Sequence, residues 1–571
     1  MAPPIARMPT ARILARILAT ALRHPRLIAL ALGALSATGF APLSFWPVAL
    51  LCIAGLMALM ERVDLDDSPS SSPTPPSPSF PRKRESSASA AASHPIRAAA
   101  KRAFLIGWCF GLGHFVVGLN WIAHAFTYQD AMPHWFGYGA VLTLSLILAV
   151  YPGLAVLFLH LARVRWPALP RLPLFAALWI VSEYARATLF TGFAWNPLGM
   201  LWLGTGVDQA AQIIGTYGLS GLAVLASGAL LALARRQWAV GGPILGMLGI
   251  VAILGHVEIG AQIGQPSKGP AIAITVVQPN INQNEKYDAA LEQVNFAKLA
   301  ELTGPSSPAR PRLIFWPEAA IPAWLDMEPE WLERVAALAG PSDLLMTGGA
   351  KVYFRDRGKG FYTDRTLVGA NNSAWVVTPD ARLIGRYDKA HLVPYGEYLP
   401  MRNLLKPLGL SRLVPGDADF WPGPGPRSLP LPPAPNRPTL KMGVQICYEI
   451  IFSGQVIHRA NRPAFLFNPS NDAWFGSWGP PQHLAQARMR AIEEAMPVIR
   501  STPTGISAVI DSSGRIIASI PHHKAGAINT PLPAPSPPTL FSRFGNILPL
   551  AFALLLVGIS LLPLVRARTS R

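Results

Sequence analysis

Residues 441–449 read KMGVQICYE, a short β-forming run that leads directly into Cys447. The stretch RLIFWPE at 312–318 has the same form and leads into Glu318. In layered α/β sheets, functional side chains usually lie where strands end. The two stretches therefore predict both a buried sheet and a candidate site at its edge.

A third polar cluster follows a predicted strand at 382–385. Residues 387–400 read YDKAHLVPYGEYLP and contain Lys389 and Glu397. A lone Cys after a strand is more often a small buried residue than a nucleophile, and the Glu and Lys have equally ordinary interpretations as a turn residue and a surface ion pair. We take the three segments to be adjacent strand ends. A thiol, a carboxylate and an ammonium brought together there are the groups that acyl transfer needs, without a metal or cofactor.

Strand-like runs continue along this half of the chain, with helical stretches at 288–302 and 328–339 between some of them. Strands that alternate with helices predict one α/β domain, which we place at 265–535. The predicted strands are 271–277, 312–316, 344–348, 374–379, 441–446, 464–468 and 506–511.

The rest of the chain is strongly apolar. Of its 571 residues 51% are hydrophobic and only 14% are charged, which excludes a disordered chain and argues against an ordinary soluble enzyme. We predict seven transmembrane helices within 27–260, a C-terminal transmembrane helix at 546–566 and a disordered Ser/Pro/Ala-rich loop at 64–100. The eight predicted spans are 27–43, 44–61, 103–124, 138–161, 172–187, 215–234, 240–258 and 546–566.

The net charge of +18 is distributed over loops. Arg and Lys occur before the first span, in every second loop and after the last span, as the positive-inside rule requires. We therefore expect residues 1–26 and the C-terminus in the cytoplasm and the α/β domain on the opposite side. Basic residues spread in this way do not form one nucleic-acid-binding face.

The motifs in their order resemble the nitrilase superfamily and, more specifically, the apolipoprotein N-acyltransferase family. The stretches that carry this resemblance lie in both halves of the chain: TGFAWNPLG at 191–199, VVQPNINQNEKYD at 276–288, YDKAHLVPYGEYLP at 387–400, CYEIIF at 447–452 and NPSNDAWFG at 468–476.

The resemblance implies an αββα nitrilase-like sandwich attached to a multi-span membrane domain in a bacterial inner membrane, with the sandwich in the periplasm. It implies transfer of an acyl chain from a phospholipid, chiefly phosphatidylethanolamine, to the N-terminal amine of a diacylglyceryl-cysteine lipoprotein through a Cys thioester. Glu318 matches the general base, Lys389 the essential lysine and Cys447 the nucleophile, with Glu397 a second essential glutamate.

Four further positions match residues expected to bind substrate. They are Tyr448, Glu449, Trp474 and Tyr287, the last at a position where the family often has Trp. We expect no cofactor, because the catalytic set needs none. We also expect no metal, because His391, His483, His522 and His523 form no recognisable ligand spacing, and nothing in the sequence demands an oligomer.

Two other functions compete with this one. A membrane-tethered carbon-nitrogen hydrolase (an amidase) would use the same three residues with water as the acceptor, although one span would suffice to tether it. A transporter would use polar residues within the spans, such as Glu183, Arg186, His114 and His124, but the two matching halves with broken helices that such transporters often have are not recognisable.

Overall fold

The structure is a computed structural model with all side chains. It describes residues 24–66, 86–128, 132–263, 271–286, 288–357, 364–405, 407, 413, 419–435 and 437–569.

Helices fill the first half of the described chain, most of them with 12 or more residues, and one more ends it. They are α1 (Pro25–Ser36), α2 (Trp46–Asp66), α3 (Ser86–Gly118), α4 (Ile122–Ala125), α5 (Phe136–Leu148), α6 (Val150–Arg165), α7 (Arg171–Thr188), α8 (Ala211–Ala234), α9 (Trp238–Ile263) and α15 (Ile547–Thr569). We call this set the helical region.

A helix lies at each of the eight predicted spans, but not every one has the length and composition of a membrane span. Among the described residues four helices pass both criteria: Phe136–Arg165, Val207–Ala234, Trp238–Ala261 and Ile547–Arg566. A fifth candidate is the pair Arg97–Gly118 and Ile122–Tyr128, bent by 49°. The chain therefore has membrane-spanning character, while the count of eight crossings stays a prediction.

The loop expected at 64–100 is shorter than predicted. Helix α2 continues to Asp66, and α3 already begins at Ser86. The sequence SASAAAS at 87–93 is rich in alanine, the best helix former, which accounts for the early start. Residues 67–85 lie outside the described part of the chain, as do residues 1–23 of the predicted N-terminal segment.

The helical region has two opposite poles, which are identified by the contacts made at each end of α7 and α8. Arg171, at the start of α7, lies 3.3 Å from Glu61, and Arg235, just after α8, also pairs with Glu61. At their other ends, Arg186 of α7 donates to the carbonyl of Phe193 and Thr216 of α8 donates to Glu493 in the α/β half of the chain. An 18-residue helix such as α7 is about 27 Å long. The basic loops and the β-domain therefore lie at opposite poles.

Within the described residues, twelve strands form two six-stranded sheets. The first has the order β12-β1-β2-β3-β4-β5 and the second β11-β10-β9-β8-β7-β6. The strands are β1 (Ala273–Gln278), β2 (Arg312–Phe315), β3 (Leu344–Arg357), β4 (Asp364–Val377), β5 (Leu383–Asp388), β6 (Ser428–Leu431), β7 (Leu440–Val444), β8 (Phe465–Pro469), β9 (Val498–Ser501), β10 (Ser507–Ile510), β11 (Ile516–Ile520) and β12 (Gly526–Pro531).

Five short helices complete the α/β domain and its connection to the last span: α10 (Glu292–Thr303), α11 (Pro329–Ala336), α12 (Arg402–Leu405), α13 (Gly479–Glu494) and α14 (Leu540–Phe544). The runs predicted as strands all contain strands, and the helices predicted at 288–302 and 328–339 overlap α10 and α11. The α/β fold is confirmed. Strands β6, β9, β11 and β12 were not predicted. Strands β6, β11 and β12 are short edge strands, and β9 is a four-residue buried strand; runs this short give no periodic signal in the sequence.

The layers follow the order helix, sheet, sheet, helix. Phe315 of the first sheet packs 5.0 Å from Phe467 of the second, measured between ring centroids, inside one core shared by both sheets. Helices α10 and α11 cover the outer face of the first sheet. Helix α13 covers the second sheet and belongs to the same apolar cluster as the helical region, so the sandwich sits directly on the helices.

Candidate active site

The three strand ends identified in the sequence meet at one buried point. Glu318 follows β2, Lys389 follows β5 and Cys447 follows β7. The ammonium of Lys389 lies 4.0 Å from the Glu318 carboxylate, and the Cys447 thiol is in electrostatic contact with both residues. The expectation that the strands are adjacent is wrong: β3 and β4 separate β2 from β5, and β7 belongs to the other sheet. The site is thus assembled across the sandwich.

Glu397 and Asn372 hold the lysine and the first glutamate together. Lys389 Nζ lies 3.0 Å from both carboxylate oxygens of Glu397. Asn372, on β4, donates through Nδ2 to Glu318 at 2.7 Å and to Glu397 at 2.8 Å. Burial alone would lower the pKa of Lys389, but Glu397 and then Glu318 and Cys447 raise this pKa above its usual value. Lys389 is therefore a permanent cation here.

Cys447 occupies an unusual backbone position. Its φ is +52°, in the left-handed region that residues other than glycine rarely adopt and that is typical of functional sites. Burial, and next the charge of Glu318, raise the pKa of the thiol well above its usual value. The charge of Lys389, and to a smaller extent the backbone N–H of Asn471, lower this pKa and oppose the shift. At neutral pH the sulfur is therefore a thiol that needs a base, not a preformed thiolate.

Glu449 joins two elements of the site. Its Oε1 accepts from the Tyr387 hydroxyl at 2.8 Å and from the Ala390 N–H at 2.7 Å, beside Lys389. Its Oε2 accepts from the Ile446 N–H at 2.7 Å, just before Cys447. These bonds connect the Lys389 segment to the Cys447 segment, and the expected substrate-binding role of Glu449 stays a prediction.

The helical region touches the site through residues 191–199. The Tyr448 hydroxyl lies 3.4 Å from the carbonyl oxygen of Gly192, and His391 Nε2 lies 2.8 Å from that of Thr191. Arg186 in α7 binds the carbonyls of this segment, at 2.8 Å for Phe193. Residues within a predicted span thus hold the loop that contacts the cysteine segment.

Of the two remaining residues predicted to bind substrate, the structure describes Trp474 but not Tyr287. Trp474 is half-buried, and its ring centroid lies 5.7 Å from that of Tyr128 at the end of a membrane helix. It therefore lies between the sandwich and the helical region. Tyr287 lies outside the described residues.

A buried polar cluster behind the cysteine was not predicted from the sequence. His483 Nε2 donates to the Cys447 carbonyl at 3.1 Å, and His483 Nδ1 lies 2.9 Å from Asp472. Cys447, Asp472 and His483 have the ligand types of a metal site. However, Arg500 forms an ion pair with Asp472 and lies 3.1 Å from His483. A guanidinium there opposes a second cation, so we interpret the cluster as a scaffold for the nucleophile loop.

Lys286 is a second cation that sequence reasoning missed, although it is part of the quoted 276–288 stretch. Its Nζ donates to the backbone carbonyl of Glu318 at 3.1 Å. Burial lowers the pKa of Lys286 to about 8, while the charges of Glu318 and Cys447 act in the opposite direction. Its charge state therefore changes near neutral pH, unlike that of Lys389.

This arrangement has the components of nucleophilic acyl transfer. Cys447 is a nucleophile, Glu318 is a nearby base, and Lys389 is a fixed cation for a developing oxyanion. Glu318 Oε2 is buried and has no hydrogen-bond partner among the described residues, so it is available to a proton from the thiol or from a substrate.

Comparison with known proteins agrees with both halves of this description. The family model "Apolipoprotein N-acyltransferase N-terminal domain" matches residues 89–229, and "Carbon-nitrogen hydrolase" matches residues 273–533.

Two curated relatives and one solved structure illustrate the similarity. The chain is similar to apolipoprotein N-acyltransferase of Rhodopseudomonas palustris, 35% identical over 82% of this chain and 86% of that protein. It is also similar to that of Bradyrhizobium diazoefficiens, 33% identical over 95% of each chain. Nit3 of Saccharomyces cerevisiae, a nitrilase-superfamily member, aligns over 47% of this chain and 93% of its own, with 19% identity and a TM-score of 0.32.

Proposed function

Because the chain belongs to the apolipoprotein N-acyltransferase family, we propose that it transfers a fatty acyl chain from a phospholipid such as phosphatidylethanolamine to the N-terminal amine of a diacylglyceryl-cysteine lipoprotein. The observation that carries this proposal is the convergence of Glu318, Lys389 and Cys447 at a buried point in contact with the helical region. Two lipid substrates need both the chemistry and its position beside a membrane.

In the first half-reaction Glu318 takes the proton of the Cys447 thiol as the sulfur attacks the ester carbonyl of the phospholipid. Lys389 and the backbone N–H of Tyr448 stabilise the oxyanion. The ester C–O bond breaks, the lysophospholipid leaves with the proton from Glu318, and a thioester remains on Cys447. The raised pKa of the thiol supports proton transfer during attack.

In the second half-reaction the amine of the lipoprotein attacks the thioester. Glu318 accepts a proton from the amine, the new C–N bond forms and the C–S bond breaks. The thiolate then recovers the proton from Glu318, which restores the resting enzyme. Tyr448 and Trp474 lie between the sandwich and the helical region and contact the acyl chains. Glu397 holds Lys389 in place, and Glu449 holds the segments that carry Lys389 and Cys447.

We further propose that the sandwich is periplasmic, that both termini are cytoplasmic and that the chain acts as a monomer in the inner membrane. The two poles of the helical region support this topology. Arg171 and Arg235 meet at Glu61, opposite the sandwich, and basic loops remain on the cytoplasmic side.

The direct test is mass spectrometry of the purified chain incubated with phospholipid and no acceptor. We expect a fatty acyl mass on Cys447 that hydroxylamine removes. Cys447→Ala should still insert in the membrane and should lose both the adduct and lipopeptide acylation completely, because no other thiol lies in the site. Normal acylation by Cys447→Ala would refute the proposal.

The carbon-nitrogen hydrolase match favours one rival, in which water is the acceptor. Incubation with phospholipid and a lipopeptide amine separates the two. Amide formation supports the transferase, whereas release of free fatty acid with no amide supports the hydrolase.

A further inference from the structure

Glu183 and Arg186 are buried charged side chains that the mechanism so far leaves unused. They lie in α7, one of the predicted spans, and are 6% and 3% exposed. Charged residues inside a membrane region are rare and usually serve a function through a specific partner. The partner of both is the segment 191–199, which follows α7 and which we call the α7 loop.

The two side chains hold the α7 loop at three points. Arg186 Nη1 donates to the carbonyl of Phe193 at 2.8 Å and to that of Trp195 at 2.9 Å. Glu183 Oε1 accepts from the backbone N–H of Leu198 at 2.9 Å. The two opposite charges also attract each other. The loop backbone is therefore fixed by a buried pair within the helical region.

The α7 loop also contacts both segments that supply oxyanion donors. The carbonyl oxygen of Thr191 lies 2.8 Å from His391 Nε2, two residues after Lys389. The carbonyl oxygen of Gly192 accepts from the Tyr448 hydroxyl at 3.4 Å. In the proposed mechanism Lys389 and the backbone N–H of Tyr448 stabilise the oxyanion. The loop therefore joins the two groups that must act on one oxygen.

A third contact connects the α7 loop to the nucleophile by another route. Trp195 Nε1 donates to Gln482 Oε1 at 2.7 Å, and the Trp195 ring centroid lies 5.4 Å from that of His483. His483 in turn bonds to the Cys447 carbonyl at 3.1 Å. A loop that Arg186 holds is thus in contact with every segment around the sulfur except that of Glu318.

We propose that Arg186 and Glu183 are positioning residues that set the oxyanion site through the α7 loop. This inference rests on the proposed function. Both half-reactions pass through a tetrahedral intermediate with a negatively charged oxygen, so displacement of Lys389 and of the Tyr448 N–H should slow both. The same displacement should not slow a reaction of the thiol in which no oxyanion forms.

The experiment compares three rates per folded molecule of the full-length chain in detergent. Acylation is the formation of the Cys447 adduct with phosphatidylethanolamine alone, and transfer is amide formation after a synthetic diacylglyceryl-cysteine peptide is added. Alkylation is the reaction of Cys447 with iodoacetamide, which displaces iodide from a saturated carbon and forms no oxyanion. For Arg186→Gln we expect acylation and transfer each to fall about tenfold to a hundredfold, as for lost hydrogen bonds from a charged donor. Alkylation should stay within about twofold, since the thiol and its base are retained.

Arg163→Gln is the matched control. Arg163, near the end of α6, also donates to a loop carbonyl, that of Leu169 at 2.6 Å, but this loop leads into Arg171 at the pole opposite the sandwich. All three of its rates should stay near those of the native chain. Equal losses of all three rates in Arg186→Gln, or unchanged acylation, overturn the inference.

His391→Phe provides a second test if Arg186→Gln does not fold. The His391 ring stacks on that of Phe452, with centroids 3.7 Å apart, and phenylalanine keeps the stacking while it loses the bond to the Thr191 carbonyl. We expect acylation and transfer each to fall about fivefold, as for one hydrogen bond, with alkylation retained. Equal losses of all three rates, or unchanged acylation, again overturn the inference. A native chain that forms no Cys447 adduct with phospholipid would instead refute the proposed function, which is a distinguishable result.

Discussion

Two buried polar centres in this chain use charge in different ways. The first is the active site around Glu318, Lys389 and Cys447. The second, which we call the junction, lies where α13 meets α8 and contains Thr216, Arg490 and Glu493, all fully buried. In the active site Glu318 Oε2 has no hydrogen-bond partner among the described residues. In the junction Glu493 Oε1 accepts three hydrogen bonds, and Glu493 Oε2, which also lacks a hydrogen-bond partner among those residues, lies in an ion pair with Arg490.

The junction owes its form to a break in α8. Gly215 has φ +64° and ψ 176° inside this helix, which frees the N–H of Thr216. Glu493 Oε1 accepts from that N–H at 2.7 Å and from the Thr216 hydroxyl at 2.6 Å, and Arg490 lies 2.9 Å from Oε2. A carboxylate at a helix start is favourable. Carboxylates and cations are thus placed for the proposed chemistry in one centre, whereas in the other they join the sandwich to the helical region.

The largest expected effect belongs to the active site. Lys389→Met removes the oxyanion cation and leaves Glu397 without its partner. Lipopeptide acylation should therefore fall by about 10²–10³-fold, since one such donor is worth about 3–4 kcal/mol. A single-turnover assay with phospholipid measures this. Lys441→Met, at an exposed position on β7, should retain activity. Activity of Lys389→Met within tenfold of native would show that Lys389 does not stabilise the oxyanion.

The junction should respond in stability instead. Glu493→Gln leaves Arg490 buried without its counter-charge, which costs about 3–5 kcal/mol. We expect a clear fall in the thermal unfolding midpoint in detergent and an unchanged rate per folded molecule. The exposed Glu301→Gln is the control. A variant as stable as the native chain but catalytically slow would place Glu493 with the active site.

The sequence allowed the first centre to be predicted and not the second. Cys447, Glu318 and Lys389 each follow a recognisable strand, so their chemistry could be read locally. Thr216 and Glu493 are 277 residues apart, and neither stands in a motif. The pairing of Asn372 with Glu318 likewise depends on packing between distant segments. The helix that begins at Ser86 was missed because Ser and Pro dominate the surrounding sequence and obscure its alanine-rich stretch. Contacts between distant residues leave no periodic signal in one sequence.

The residue next to the junction glutamate gives a smaller, pH-dependent effect. Burial, and less so the neighbouring Glu493, raise the pKa of Glu494 from 4.5 to about 7. The folded chain therefore binds a proton that the unfolded chain releases between these values, and stability falls as pH rises from about 4.5 to 7. Glu494→Gln should remove this loss, which is at most about 3 kcal/mol. The unfolding midpoint of the variant should exceed that of the native chain more at pH 8 than at pH 5, and an equal difference at both pH values would contradict the assignment.

The smallest effect returns to the active site and its second cation. Because burial lowers the pKa of Lys286 to about 8, the native chain loses a positive charge beside Glu318 as pH rises past this value. That charge favours the anionic Glu318 and the developing thiolate of Cys447, so acylation of Cys447 should decline above pH 8. Lys286→Arg keeps the charge and should retain about threefold more of its pH 7 rate at pH 9 than the native chain does. Lys286→Met should be slow at both pH values, with no decline near pH 8. If all three proteins decline at the same pH, the titrating group is elsewhere, and only Lys389 among the two lysines contributes to the field at the sulfur.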